Sequence, residues 1–269
     1  VKKDIIPERY NEKLRNINST LKKLLNKLEN IKNILSVALK LLGERSMHRY
    51  LVLLQNDAEA RPTGGFIGSI LLVDMYKGNI VKNEFHDVYE FDGQLKENIP
   101  APEDIAKISN NWRLRDSNFS PDFAISAERA AWFLQKEKGH SVDTVLALNQ
   151  NLIGRLFSLT GEIKLEGMQS NLNEENYRSV LSYIIESKLH GKNNPKKILG
   201  EFISEFQKKL LEADSNSKLF SILSDAAAKK DILFYSRDED IQQLFKAYGL
   251  DGGVTRTDLS SDYLQVVNT

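Results

Sequence analysis

Tyr50-Leu-Val-Leu-Leu-Gln-Asn-Asp-Ala-Glu-Ala-Arg-Pro-Thr-Gly-Gly-Phe-Ile-Gly-Ser69 is the stretch on which the fold turns. Its first six residues, Tyr50 to Gln55, are a nearly continuous apolar run, the pattern of a strand buried on both faces. Proline and paired glycines then interrupt regular backbone, and Phe66 to Tyr76 resumes as a second strand. Lys77-Gly78-Asn79 turns the chain into a third, Ile80 to Phe91. Short connections between neighbouring strands imply an antiparallel meander growing outward from the buried first strand.

Upstream, apolar residues fall at Leu14, Ile17, Leu21, Leu24, Leu28, Ile31, Leu35, Ala38 and Leu42, in steps alternating three and four. That spacing is a coiled-coil seam on one long helix, closed at Gly43. The helix is expected to pack on the domain or on a second helix. The sharper alternative is a stalk that dimerises or lifts the domain from a surface.

Downstream, Asp92 to Asn111 is polar and carries Pro100 and Pro102, so a long loop with a short helix is expected. Ser120-Pro121 reads as a cap and first-turn proline for a helix ending near Gly139. Val142 to Leu148 is a strand and Gln150 to Leu159 a short helix. Residues 173–230 are helical, with breaks near 191–195 and 214–217; Ile232 to Tyr235 is a strand, Glu239 to Tyr248 a helix and Tyr263 to Val267 a last strand. Strands and helices interleave without a linker, which implies an α/β fold with a mixed central sheet and helices on both faces. The expected division is residues 1–47 as a helical segment and 48–269 as the α/β domain.

Lys+Arg and Asp+Glu balance at 37 each, which argues against a nucleic-acid binder, since those carry a basic surplus. Absence of cysteine rules out disulfides and thiolate metal sites. No apolar run reaches the roughly 20 residues that span a bilayer, and no signal peptide is visible. The four histidines lack metal-type spacing, no Gly-Lys-Ser/Thr follows the glycine pair, and no Gly-x-Ser-x-Gly elbow occurs. A cytoplasmic nucleotide-binding role is therefore a weak alternative.

Two loops could carry chemistry. The first puts Asp57, Glu59, Arg61 and Thr63 at the end of a buried strand, where α/β sheets bind ligands, and Gly64 and Gly65 allow close backbone approach. The second is Asn111-Trp-Arg-Leu-Arg-Asp-Ser-Asn-Phe-Ser-Pro-Asp122, in which Arg113 and Arg115 share a face if the segment is extended. Asp116, Asn118 and Ser120 precede a helix N-terminus, which favours anions. Guanidinium groups match phosphate oxygens bidentately, so the pair of loops suits an anion. Taken separately, the first is equally a tight turn, and Arg115–Asp116 equally a structural ion pair. Asp87, Glu90 and Asp92 end the third strand and could face the same cleft or only solvent. The lysines between Lys188 and Lys197 read as a solvated helix boundary.

The stretch from Tyr50 to Ser69 closely resembles the signature of the bacterial family called domain of unknown function 4012. Arg115-Asp-Ser-Asn-Phe-Ser-Pro-Asp-Phe123, Val142-Asp-Thr-Val-Leu-Ala-Leu148 and Leu159-Thr-Gly-Glu-Ile163 follow in the matching order. That family in turn looks distantly similar to the LytR–CpsA–Psr enzymes, which are membrane-anchored, extracytoplasmic, Mg²⁺-assisted phosphotransferases. These move glycans from a polyprenyl-pyrophosphate lipid onto the cell wall. By layout, Asp57 and Arg61-Pro-Thr63 stand where those enzymes have an acidic residue and Arg-Ser-Asp-Thr, and Leu114-Arg115-Asp116 where they have Pro-Arg-Asp. Thr63 replaces the aspartate, and their Arg-rich helices have no clear counterpart; Glu186, Lys188, Lys196 and Lys197 fall in that region.

The resemblance implies a pyrophosphate site made by Arg61, Thr63, Gly64, Gly65, Arg113, Arg115 and Asn118. In a transferase, Asp57 and Asp116 would hold Mg²⁺ or activate an acceptor hydroxyl. The implied partners are a polyprenyl-phosphate-linked glycan, a cell-wall polymer and the membrane, reached through an anchor upstream of this sequence; a homodimer through the N-terminal helix is a further expectation. The missing aspartate favours binding over transfer, and a non-catalytic envelope scaffold or lipid/glycan-binding module is the alternative.

Overall fold

The computed structural model describes residues 8–107, 110–168, 170–186 and 195–254. Helix α1 (Glu8–Leu41) leads into β1 (His48–Asn56), β2 (Phe66–Tyr76) and β3 (Asn79–Asp87), then short helices α2 (Val88–Asp92) and α3 (Glu103–Ala106). Next come α4 (Phe123–Lys138), β4 (Thr144–Asn149), α5 (Gln150–Thr160), α6 (Tyr177–Glu186), α7 (Pro195–Glu212), α8 (Asn216–Ala228), β5 (Ile232–Ser236) and α9 (Glu239–Ala247).

The strands form one sheet in the order β3-β2-β1-β4-β5. β1 pairs antiparallel with β2 and parallel with β4, while β5 returns antiparallel beside β4. The sheet is therefore mixed, with β1 at its centre, as the apolar run from Tyr50 implies. Alternation along β1 sends Leu51 and Leu53 to one face, against Phe91, Trp112, Phe123 and Phe133 of α2, α4 and the loop between them. Val52 and Leu54 face the opposite side, with Leu146, Leu148 and Ile203. Helices α5 to α8 complete that layer around Phe157, Phe202 and Phe206. Each fully buried large side chain contributes about 1.5–3 kcal/mol by leaving water, so the two faces of β1 carry much of the fold.

Several boundaries differ from the sequence reading. β3 stops at Asp87, because the Asp87 carboxylate accepts the Tyr89 N–H and caps a helical turn, so Val88 to Phe91 is helix and not strand. α4 starts at Phe123, with Asp122 accepting from Ala124 N; Ser120 sits before it and accepts from Asp122 N through its hydroxyl. Gly139 ends α4 in the left-handed conformation. The strand expected at Tyr263 to Val267 lies outside the described residues.

Helix α1 packs on the domain only at its last turns, where Val37 and Leu41 meet Ile241, Leu244 and Phe245 around α9. Lys40 adds ion pairs to Asp238 and Asp240 at 2.9 and 2.7 Å. The expectation that the helix lies along the domain fails over most of its length: Leu14, Ile17, Leu21, Leu24, Leu28, Ile31 and Leu35 are 51–60% exposed. Among the described residues no helix is long and apolar enough to cross a membrane.

Candidate functional site

Because β1 and β4 run parallel, their carboxyl ends open at the same edge of the sheet, the place where α/β folds hold ligands. The loop after β1 is fixed there by its own backbone: Phe66 N donates to Glu59 O at 3.0 Å, and Gly64 N to Arg61 O at 3.0 Å. Gly65 passes so close to β1 that a Cβ would stand 2.4 Å from the Asn56 carbonyl oxygen, so only glycine fits.

The second loop is docked on the first through Asn118. This fully buried amide donates to Thr63 Oγ1 at 3.0 Å and to Gly65 O at 2.8 Å. Gln55 donates to Thr63 Oγ1 at 2.6 Å, and Asn149, at the end of β4, donates to Gly64 O at 3.2 Å. Thr63, Gly64, Gly65 and Asn118 thus come together, but their polar groups hold the loops to one another. The Asn118 and Asn149 side-chain oxygens and the Ser117 hydroxyl are buried without a partner.

Each arginine has its own partners. Arg61 is largely buried, pairs with Glu59 at 2.8 Å and lies over the Phe66 ring at 5.4 Å. Arg115 pairs with Asp92 at 2.8 Å and Asp116 at 3.3 Å, over the Tyr89 ring. Arg61 and Arg115 both act on Asp116: burial pushes its carboxyl up, and the two guanidinium charges oppose that rise. Burial pushes Asp92 up to about 6 against the opposing charge of Arg115. Arg113 does not share their face. Residues 114–116 form a 3₁₀ turn instead of extended chain, and Arg113 donates to the carbonyls of Glu97 and Trp112.

Asp57 meets a residue that the sequence did not single out. Arg178, on α6, grips both Asp57 oxygens at 2.7 and 3.1 Å, and also bonds Asn151 Oδ1 and the Tyr177 hydroxyl. The two residues are 121 positions apart, and no local motif marks them. Beside this pair opens a cavity of about 310 Å³ between β1–β4 and α5–α7. Phe66, Phe85, Leu148, Ile153, Leu181 and Phe202 make its apolar wall, and Glu59 and Arg178 stand at its lining.

Among the described residues no three His, Asp or Glu side chains are grouped to hold an ion. Asp57 is engaged by Arg178 and Glu59 by Arg61, while Asp92 and Asp116 pair with Arg115 but keep Asp92 Oδ1 and Asp116 Oδ2 buried without a hydrogen-bond partner. Glu186, Lys196 and Lys197 lie in α6 and α7 with side chains outside the description, and Lys188 lies outside the described residues.

The sequence pattern of the family described as "Protein of unknown function (DUF4012)" matches residues 46–184. The chain is a member of the DUF4012 family. The match takes in β1, both loops and Arg178, so the candidate site lies inside the DUF4012 region. Solved structures that align with this DUF4012 chain include protein gbs0355 from Streptococcus agalactiae, at 19% identity and a TM-score of 0.49, over 76% of this chain and 73% of that one. Lin1025 from Listeria innocua aligns at 16% identity and a TM-score of 0.42, over 77% and 80%. TagV from Bacillus subtilis aligns at 13% identity and a TM-score of 0.37, over 78% and 82%. No curated protein matches.

Proposed function

We propose that this cleft binds an amphiphile with a phosphate or pyrophosphate head and an apolar tail, such as a polyprenyl-phosphate-linked glycan of the cell envelope. The observation that carries the reading is the apolar cavity opening beside Arg178 and against Phe66, the ring on which Arg61 rests. The Arg178 guanidinium at the lining supplies charge-assisted hydrogen bonds for the head, and the wall from Phe85 to Phe202 removes the tail from water. Arg61, Arg115 and Arg178 are each held by a carboxylate, so an anion replaces those partners instead of meeting bare charge.

Binding without transfer is the form we favour, because Thr63 stands where a transferase would have an aspartate and Arg178 holds both oxygens of Asp57. The protein then acts as an extracytoplasmic carrier or scaffold for a lipid-linked glycan destined for a wall or surface acceptor. Titration with a short prenyl pyrophosphate tests this. Arg61→Ala and Arg178→Ala should each weaken binding tenfold or more, the loss of one charged hydrogen bond being worth about 1.5–3 kcal/mol. Affinity unchanged in both variants would overturn the site.

A further inference from the structure

We propose that the chain self-associates through α1, as an antiparallel pair of helices from two copies. The domain covers only one side of this helix: Val37 and Leu41, which meet α9, lie on one flank of the seam that runs from Leu14 to Ala38. Leu35 and Leu42, on the seam in the same turns, remain exposed. The domain therefore half-buries Ala38 and leaves Leu35 and Leu42 of the seam exposed where it touches the helix.

The three-and-four spacing holds without interruption from Leu14 to Leu42, and a strict seven-residue repeat is what a partner helix requires, whereas a helix lying on a flat surface needs none. Helix α1 is 34 residues long, so it offers a seam of ample length. Its large apolar side chains, about half exposed, present on the order of 800 Å² per helix, so a pair buries about the area of a standard specific interface.

Charge sets the direction. In a parallel, in-register pair, Lys27 of each helix would flank Lys32 of the other on both sides of the seam. With the helices opposed and the seam from Leu14 to Ala38 matched end to end, Leu21 layers on Ile31 and Leu24 on Leu28. Leu25, exposed and just beside the seam, then meets its own copy on one side; Lys27 meets its own copy on the other and Lys32 faces Asn18, so one lysine pair remains where the parallel arrangement has two.

Light scattering on the full chain at tens of micromolar should give the mass of two chains. Leu21→Asp should return it to one, with the thermal melt of the sheet domain retained. The cysteine-free sequence makes the direction testable: under mild oxidation Leu25→Cys should cross-link to its copy, and Leu28→Cys should not. A monomeric native chain would overturn self-association, including one that instead sediments with phosphatidylglycerol vesicles. Efficient cross-linking of Leu28→Cys without Leu25→Cys would overturn the antiparallel arrangement.

Discussion

Among single residues, Glu137 bears the largest unbalanced burden. Both of its carboxylate oxygens are buried without a hydrogen-bond partner, and burial pushes its pKa up to about 8, helped by the nearby charge of Asp92. Between the ordinary carboxylate value of 4.5 and about 8, the folded chain keeps a proton that the unfolded chain has released. Stability should therefore fall as pH rises through that window, and the loss is complete above the folded value. Glu137→Gln should raise the Tm at pH 8 and flatten the slope, with little change at pH 4; an equal shift at both pH values would mean that charge is not the cause. Of the site residues, Thr63, Gly64, Gly65 and Asn118 were legible as a set, because each sits in a loop that glycine or a helix start marks. Arg178 was not, since its partner Asp57 is distant in sequence and only the packing of α6 beside α5 brings the two together.

Elements show where sequence periodicity suffices and where it misleads. β2 runs from Phe66 to Tyr76 and α5 from Gln150, as their patterns require. Two misreadings share a cause: alternating residues at Val88–Phe91 and Arg113–Arg115 suit extended chain, but a side-chain cap at Asp87 and backbone bonds from Asp116 and Ser117 curl both segments. The cavity wall belongs to this scale as well, because β2, α5, α6 and α7 each contribute apolar side chains that no local motif connects. Leu181→Trp should fill that space. It is expected to abolish the part of the affinity that depends on a prenyl tail and to leave binding of inorganic pyrophosphate unchanged, as read by calorimetry. Tail-dependent binding that survives the indole would place the tail elsewhere.

The whole molecule joins a sheet whose candidate-site edge pairs its arginines with its own carboxylates to a helix whose seam faces outward. The mixed sheet with helices on both faces was readable from the order of the patterns; which side of α1 the domain covers was not, because that depends on how α9 docks. Neutralisation at the sheet edge has a direct consequence. Mg²⁺ added alone should leave the Tm unchanged, since the carboxylates of the cleft are engaged by arginines. A rise with Mg²⁺ alone would show that they release those partners to hold an ion. The most direct measurement compares three ligands on the native chain by calorimetry: a prenyl pyrophosphate, inorganic pyrophosphate and the corresponding prenyl alcohol. Joint recognition of head and tail predicts that the prenyl pyrophosphate binds at least tenfold more tightly than either half. An alcohol or a pyrophosphate that binds as tightly as the intact amphiphile would contradict it.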